Sequence, residues 1–152
     1  MFKPLLLAAV VLTGTAANAT PTVRALFEAI TATGTQIAVD HPSVCSDPQM
    51  LGKYQYTPRV LDRLTICIKN HKGDSVELRD TVLHESVHVA QICKGGPIFS
   101  PASLVKAADA EEIVFLNQRY PQAQFISELE ARVIARDQDE VYVTELIKKH
   151  CK

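Results

Sequence analysis

Charge of one sign is what this sequence most conspicuously lacks. Sixteen Lys and Arg stand against seventeen Asp and Glu, a formal net charge of −1, and the two signs are interspersed, with no basic stripe and no acidic tail. That removes the electrostatic footprint expected of a nucleic-acid-binding protein or of one that lies on anionic membrane. No stretch beyond the N-terminus comes near the roughly twenty apolar residues that a membrane-spanning helix needs. Internal repeats, low-complexity segments and obvious linkers are also missing, which excludes repeat architectures and disordered tails. The four cysteines, Cys45, Cys67, Cys93 and Cys151, contain no closely spaced pair, so a four-cysteine zinc site is disfavoured.

An even number of well-separated cysteines instead fits disulfides formed in an oxidising compartment. The N-terminus agrees. Lys3 gives a positive start, Leu5 to Leu12 an apolar stretch too short to span a bilayer, and Ala17-Asn18-Ala19 a small-residue cleavage signal. Residues 1–19 therefore read as a signal peptide of a secreted or periplasmic protein, and residues 20–152 as one domain. Of the three possible cysteine pairings, Cys45 with Cys67 and Cys93 with Cys151 is expected. The first flanks a strand region, and the second ties the chain's last cysteine to the helix described next.

That helix carries the chemistry: Val82-Leu83-His84-Glu85-Ser86-Val87-His88-Val89-Ala90-Gln91. Residues four apart on a helix differ by about 40° and a rise of roughly 6 Å, so the imidazoles of His84 and His88 can converge on one atom. Glu85 lies about 100° round from His84, beside an open coordination position. Two histidines and a glutamate so arranged point to zinc with a general base. Asp74 with Glu77 three residues later starts the helix, Gly95-Gly96-Pro97 stops it, and no proline or glycine interrupts it. Its apolar flanks imply burial, where an unpartnered polar trio would be costly.

Elsewhere the pattern gives an α+β order. Pro21 to about Ala32 is helical and Gly34 closes it; Thr35 to Val39 is a strand; Lys53 to Thr57 is a second. Arg63 to Lys69 alternates Leu64, Ile66 and Ile68 against Thr65, Cys67 and Lys69, a half-buried third strand. After the motif helix the chain is helical: Ser100-Pro101 starts a helix to about Arg119, Pro121 opens one with Phe125, Leu129 and Val133 at spacing four, and a last helix runs from about Glu140 to His150.

A catalytic zinc needs three protein ligands and one open position. The extended pattern with a third histidine is absent, since Gln91 and Lys94 occupy its glycine and histidine positions. Ser127-Glu128-Leu129-Glu130-Ala131 offers two carboxylates on a later helix. Taken together, Thr81 to Ala90 and Ser127 to Ala131 resemble the two signature helices of the zincin metallopeptidases, in the gluzincin branch whose third ligand is a glutamate. The resemblance covers about a tenth of the chain. It implies a small zincin-like domain with a short three-stranded sheet and a helical C-terminal half. It also implies His84, His88 and Glu128 as zinc ligands, Glu85 as general base and a peptide or protein as substrate of a monomeric enzyme.

Glu130 stays open as a rival ligand, because Ile126 and Ile134 turn its face inward. Many gluzincins place an Asp four residues after the ligand glutamate to orient a histidine; here stands Arg132, which leaves that task to another acid such as Asp80. The strand 63–69 is the expected guide for extended substrate, and Tyr120, Tyr142 and His150 are the candidate donors to a developing oxyanion. The competing class is a non-enzymatic exported binding domain that keeps a degenerate or structural metal site.

Overall fold

Helix α3, Ser75–Lys94, is set at both ends by its own residues. The Asp74 carboxylate accepts from the backbone N–H groups of Val76 and Glu77 at 3.0 and 2.9 Å, satisfying donors that a helix start leaves unpaired. At the other end Gly95, at φ 85°, returns its N–H to Gln91 and Ile92, a left-handed cap that costs glycine little. The computed structural model in which these contacts are seen describes residues 20–152. The signal peptide read at 1–19 lies outside the described residues.

Around α3 the chain is α+β. Helix α1 (Pro21–Ala32) leads to strand β1 (Gln36–Val39), a four-residue helix α2 (Pro42–Cys45), and strands β2 (Gly52–Thr57) and β3 (Leu61–Ile66). After α3 come α4 (Pro101–Ala107), α5 (Ala110–Arg119), α6 (Gln122–Asp137) and α7 (Glu140–His150). The sheet order is β1-β3-β2: β1 runs parallel to β3, Ile37 opposite Leu64, and β2 runs antiparallel to it, Tyr54 opposite Leu64.

Two expected elements differ. The third strand stops at Ile66, because Cys67 is bridged to Cys45 and residues Ile68–His71 coil into a 3-10 turn. Lys72 and Gly73 then take positive φ before α3 begins. The helix expected from Pro101 to Arg119 breaks at Ala108 and Asp109, both extended. Asp109 and Glu112 form a capping box that starts α5. Arg136 from α6 clasps the break, donating to the Ala107 carbonyl at 2.9 Å and pairing with Asp109 and Glu112.

Two hydrophobic clusters result. Leu26, Ile30, Leu64, Leu83, Val87 and Ile147 belong to the larger one, which joins α1, the sheet, α3, α6 and α7. Leu104, Leu116, Phe125, Leu129 and Val133 form a smaller one between α4, α5 and α6. Helix α6 serves both, turning Leu129 and Val133 to the small cluster and Ala131 and Ile134 to the large one. The disulfides are Cys45–Cys67 and Cys93–Cys151, the expected pairs, and they fit folding in an oxidising, extracellular setting. Among the described residues no helix is long and apolar enough to cross a membrane.

Candidate metal centre

Because α3 is unbroken, His84 and His88 stand one turn apart on one face, and α6 packs across that face. Their Nε2 atoms are 3.2 Å apart. From α6, Glu128 brings Oε2 to 3.2 Å from His84 Nε2 and Oε1 to 3.6 Å from His88 Nε2. A tetrahedral zinc with bonds of about 2.0–2.1 Å sets neighbouring ligand atoms roughly 3.3 Å apart. The two imidazole nitrogens have that spacing, each lies within 3.6 Å of one Glu128 oxygen, and one ligand atom from each of the three residues lies within 4.8 Å of the others. Two imidazole nitrogens and a carboxylate oxygen are also a donor set that suits zinc, so the group fits a metal ion.

Glu85 stands beside the triad without joining it. Its Oε2 accepts from the backbone N–H of Tyr54 at 2.7 Å. Strand β2 passes so close that a Cβ on Gly52 would lie 3.1 Å from Glu85 Cγ and 2.7 Å from Thr81 Cγ2. Burial pushes the Glu85 carboxyl up to about 7, against the partial pull of His88 and the Tyr54 N–H. Glu128 goes the other way. Burial again disfavours its ionised form, but the His84 hydrogen bond, the neighbouring imidazoles and the Tyr120 hydroxyl outweigh it and hold the carboxyl below its ordinary value. Tyr120 is itself pushed up, by burial and by the charge of Glu128.

Glu130, the rival ligand, is fully buried as Ile126 and Ile134 suggested, but it faces away from the imidazole nitrogens. Two residues along a helix are about 200° apart, so when Glu128 turns to the histidines Glu130 turns to α3 and the following loop. There its two oxygens accept from the backbone N–H groups of Ile98 (2.8 and 2.9 Å) and Phe99 (2.6 Å) and from Gln91 Nε2 (2.7 Å). Gln91 Nε2 also donates to the Ser127 carbonyl at 3.0 Å, while Gln91 Oε1 faces His88 Nδ1 at 2.8 Å. Sequence reasoning missed Gln91. The available signal was its place three residues after His88, on the same face of the helix.

Other expectations place less cleanly. Asp80 is half exposed beside Arg79, 3.6 Å away, and among the described residues no hydrogen bond links it to His84. Arg132 sets its guanidinium over the Phe115 ring at 5.0 Å and lines a cavity with His84; among the described residues no hydrogen bond links it to either histidine. Of the three candidate oxyanion donors only Tyr120 lines the cleft; Tyr142 packs against the large cluster, and His150 ends α7. The strand expected to guide substrate is β3, which is central and paired on both sides. The strand beside the triad is β2.

Two cavities, of about 710 and 640 Å³, meet at the centre, and His84, Glu85, Gly52 and Tyr120 line both. Phe115, Arg119 and Arg132 line the first, and Tyr56, Ile92 and Glu128 the second. Fold and site together define an α+β, disulfide-bonded protein whose His84, His88 and Glu128 can hold a metal ion. The chain matches no protein-family model, no curated protein and no solved structure.

Proposed function

We propose that this protein is an exported zinc-dependent peptidase with His84, His88 and Glu128 as metal ligands and Glu85 as general base. The observation that carries the reading is the pairing of a convergent His-His-Glu triad with a fourth polar group, Glu85, that lines the same cleft outside the triad. Bound there, zinc supplies Lewis-acid polarisation of a carbonyl and a water whose pKa falls to about 7. Glu85, turned about 100° from His84, takes a proton from water in the cleft and hands it to the leaving amine. Tyr120, whose hydroxyl lies by Glu128, is the side-chain donor placed to meet a substrate oxygen.

Extended peptide suits the geometry. The Tyr54 N–H points from β2 to Glu85 rather than to β3. By the alternation of an antiparallel ladder, the backbone groups of Gly52 and Tyr56 also face outward along the cleft. Such an edge can take a peptide in strand form, and Tyr56 and Ile92 offer apolar surface to its side chains. The proposed enzyme acts as a monomer on peptides or proteins, with no role for nucleic acid or membrane.

The test combines zinc analysis of the oxidised protein with cleavage of a peptide mixture. Wild type is expected to hold one zinc and to hydrolyse peptides. His84→Ala should lose the metal, and Glu85→Gln should keep it while losing about 10²- to 10⁴-fold in rate. Zinc held at full stoichiometry with no hydrolysis by wild type would replace the peptidase with an exported binding domain. Equal, substoichiometric zinc in wild type and His84→Ala would remove the site altogether.

A further inference from the structure

We infer that Glu130 is a positioning residue for the metal site: acting through Gln91, it fixes His88 in the tautomer that leaves Nε2 free to ligate. The inference rests on the metal-centre reading above, and it assigns a role to two residues outside the ligand set.

Each step follows from donor and acceptor chemistry. Gln91 Nε2 meets a backbone carbonyl, Ser127 O at 3.0 Å, and a Glu130 oxygen at 2.7 Å. Both are met as acceptors, so the amide nitrogen must be the end that faces them. The amide oxygen is then the end that faces His88, 2.8 Å from Nδ1. An oxygen there can only accept, so Nδ1 carries the hydrogen, and in a neutral imidazole the lone pair sits on Nε2. That nitrogen is the one 3.2 Å from His84 Nε2 and 3.6 Å from Glu128.

Glu130 is held in turn by the amides of Ile98 and Phe99. The backbone of the loop after α3 thus orients a carboxylate, the carboxylate an amide, and the amide a ligand ring. Lys94 tightens the same loop by donating to the carbonyls of Pro97 and Ile98 at 2.7 and 3.0 Å. Partners of this kind hold ligating histidines in known metal sites, and losing one typically costs 10- to 100-fold in metal affinity. Here the acid comes from α6, two residues after the ligand Glu128, and reaches the ring only through Gln91.

The variant Glu130→Gln separates positioning from packing. Its amide nitrogen would oppose Gln91 Nε2, whereas a flipped Gln91 would set its oxygen against the Ser127 carbonyl, so neither orientation of Gln91 satisfies all its neighbours and the tautomer of His88 is no longer fixed. In the flipped orientation His88 Nδ1 must accept, and its hydrogen moves to Nε2, where it blocks ligation.

The experiment measures zinc affinity by competition with a chromophoric chelator, and the His88 tautomer by imidazole nitrogen NMR of the metal-free protein. Wild type is expected as the Nδ1–H tautomer. Glu130→Gln should bind zinc 10- to 100-fold more weakly, with an Nε2–H form of His88 now detectable beside the Nδ1–H form. A wild-type Nε2–H tautomer would overturn the inference without any variant having to fold. So would zinc binding by Glu130→Gln equal to wild type, with the metal site itself intact. No zinc binding by wild type would overturn the metal-centre reading as well.

Discussion

At the scale of single residues, Glu85 makes the sharpest physical demand. Its carboxyl rises from 4.5 to about 7 mainly because burial disfavours the charge. In the metal-free protein the folded state therefore binds more protons than the unfolded state between about pH 4.5 and 7. Stability contributed by the neutral carboxyl is present below that window and lost as pH rises through it, by roughly 3 kcal/mol. Glu85→Gln has no charge to bury and keeps an acceptor for the Tyr54 N–H. Its stability advantage over wild type, measured by denaturant unfolding in chelator, should grow by about that amount from pH 5 to pH 8. Parallel pH profiles for the two proteins would show that Glu85 is not desolvated as described. His84, Glu85 and His88 were legible in the sequence because one helical period fixes all three. Glu128 was not legible from spacing, since nothing in the chain says which later helix crosses α3, and it came only from the likeness of its segment to a known pattern. Glu130 was legible only as a rival ligand, and its contact with Gln91 escaped because the two are thirty-nine residues apart.

Elements impose a different constraint, the close approach of β2 to α3. Gly52 permits it. An added Cβ would meet Thr81 Cγ2 at 2.7 Å and Glu85 Cγ at 3.1 Å, so Gly52→Ala must part strand from helix and weaken the Tyr54 to Glu85 hydrogen bond. Overpacking of this kind costs about 1–3 kcal/mol. Thr81→Ser deletes the offending methyl and keeps the hydroxyl that donates to the Glu77 carbonyl. Added to Gly52→Ala, it should recover most of the loss in a double-mutant cycle. Strictly additive effects would place the cost of Gly52→Ala elsewhere. Most helices were legible, because caps such as Asp74, Ser100 and Asp139 announce them. The break between α4 and α5 carried a signal that went unread, Asp109 followed three residues later by Glu112. The early end of β3 was masked, for Ile68 keeps the apolar alternation while the chain already turns after Cys67, which is bridged to Cys45. Strand order was also closed to sequence reasoning, since a half-buried alternation does not say whether a strand is central or at an edge.

The whole molecule is held by two hydrophobic clusters that share α6 and by a bridge that ties the end of α3 to the end of α7. Cys93 and Cys151 are 58 residues apart, for which the chain-entropy estimate is roughly 4 kcal/mol. Replacing both by serine should lower metal-free stability by up to about that amount in denaturant unfolding. Zinc at about a thousand times its Kd should offset most of the loss, since binding to the folded state alone contributes roughly 4 kcal/mol there. A doubly substituted protein as stable in chelator as wild type would show that packing alone anchors α7. The same bridge also sets an order in time. It cannot close until residue 151 has been made, and by then α6 with Glu128 has already been synthesised. Formation of the Cys93–Cys151 bridge thus comes after His84, His88 and Glu128 have all been made, and until it forms the far end of α3 is not fastened to the end of α7.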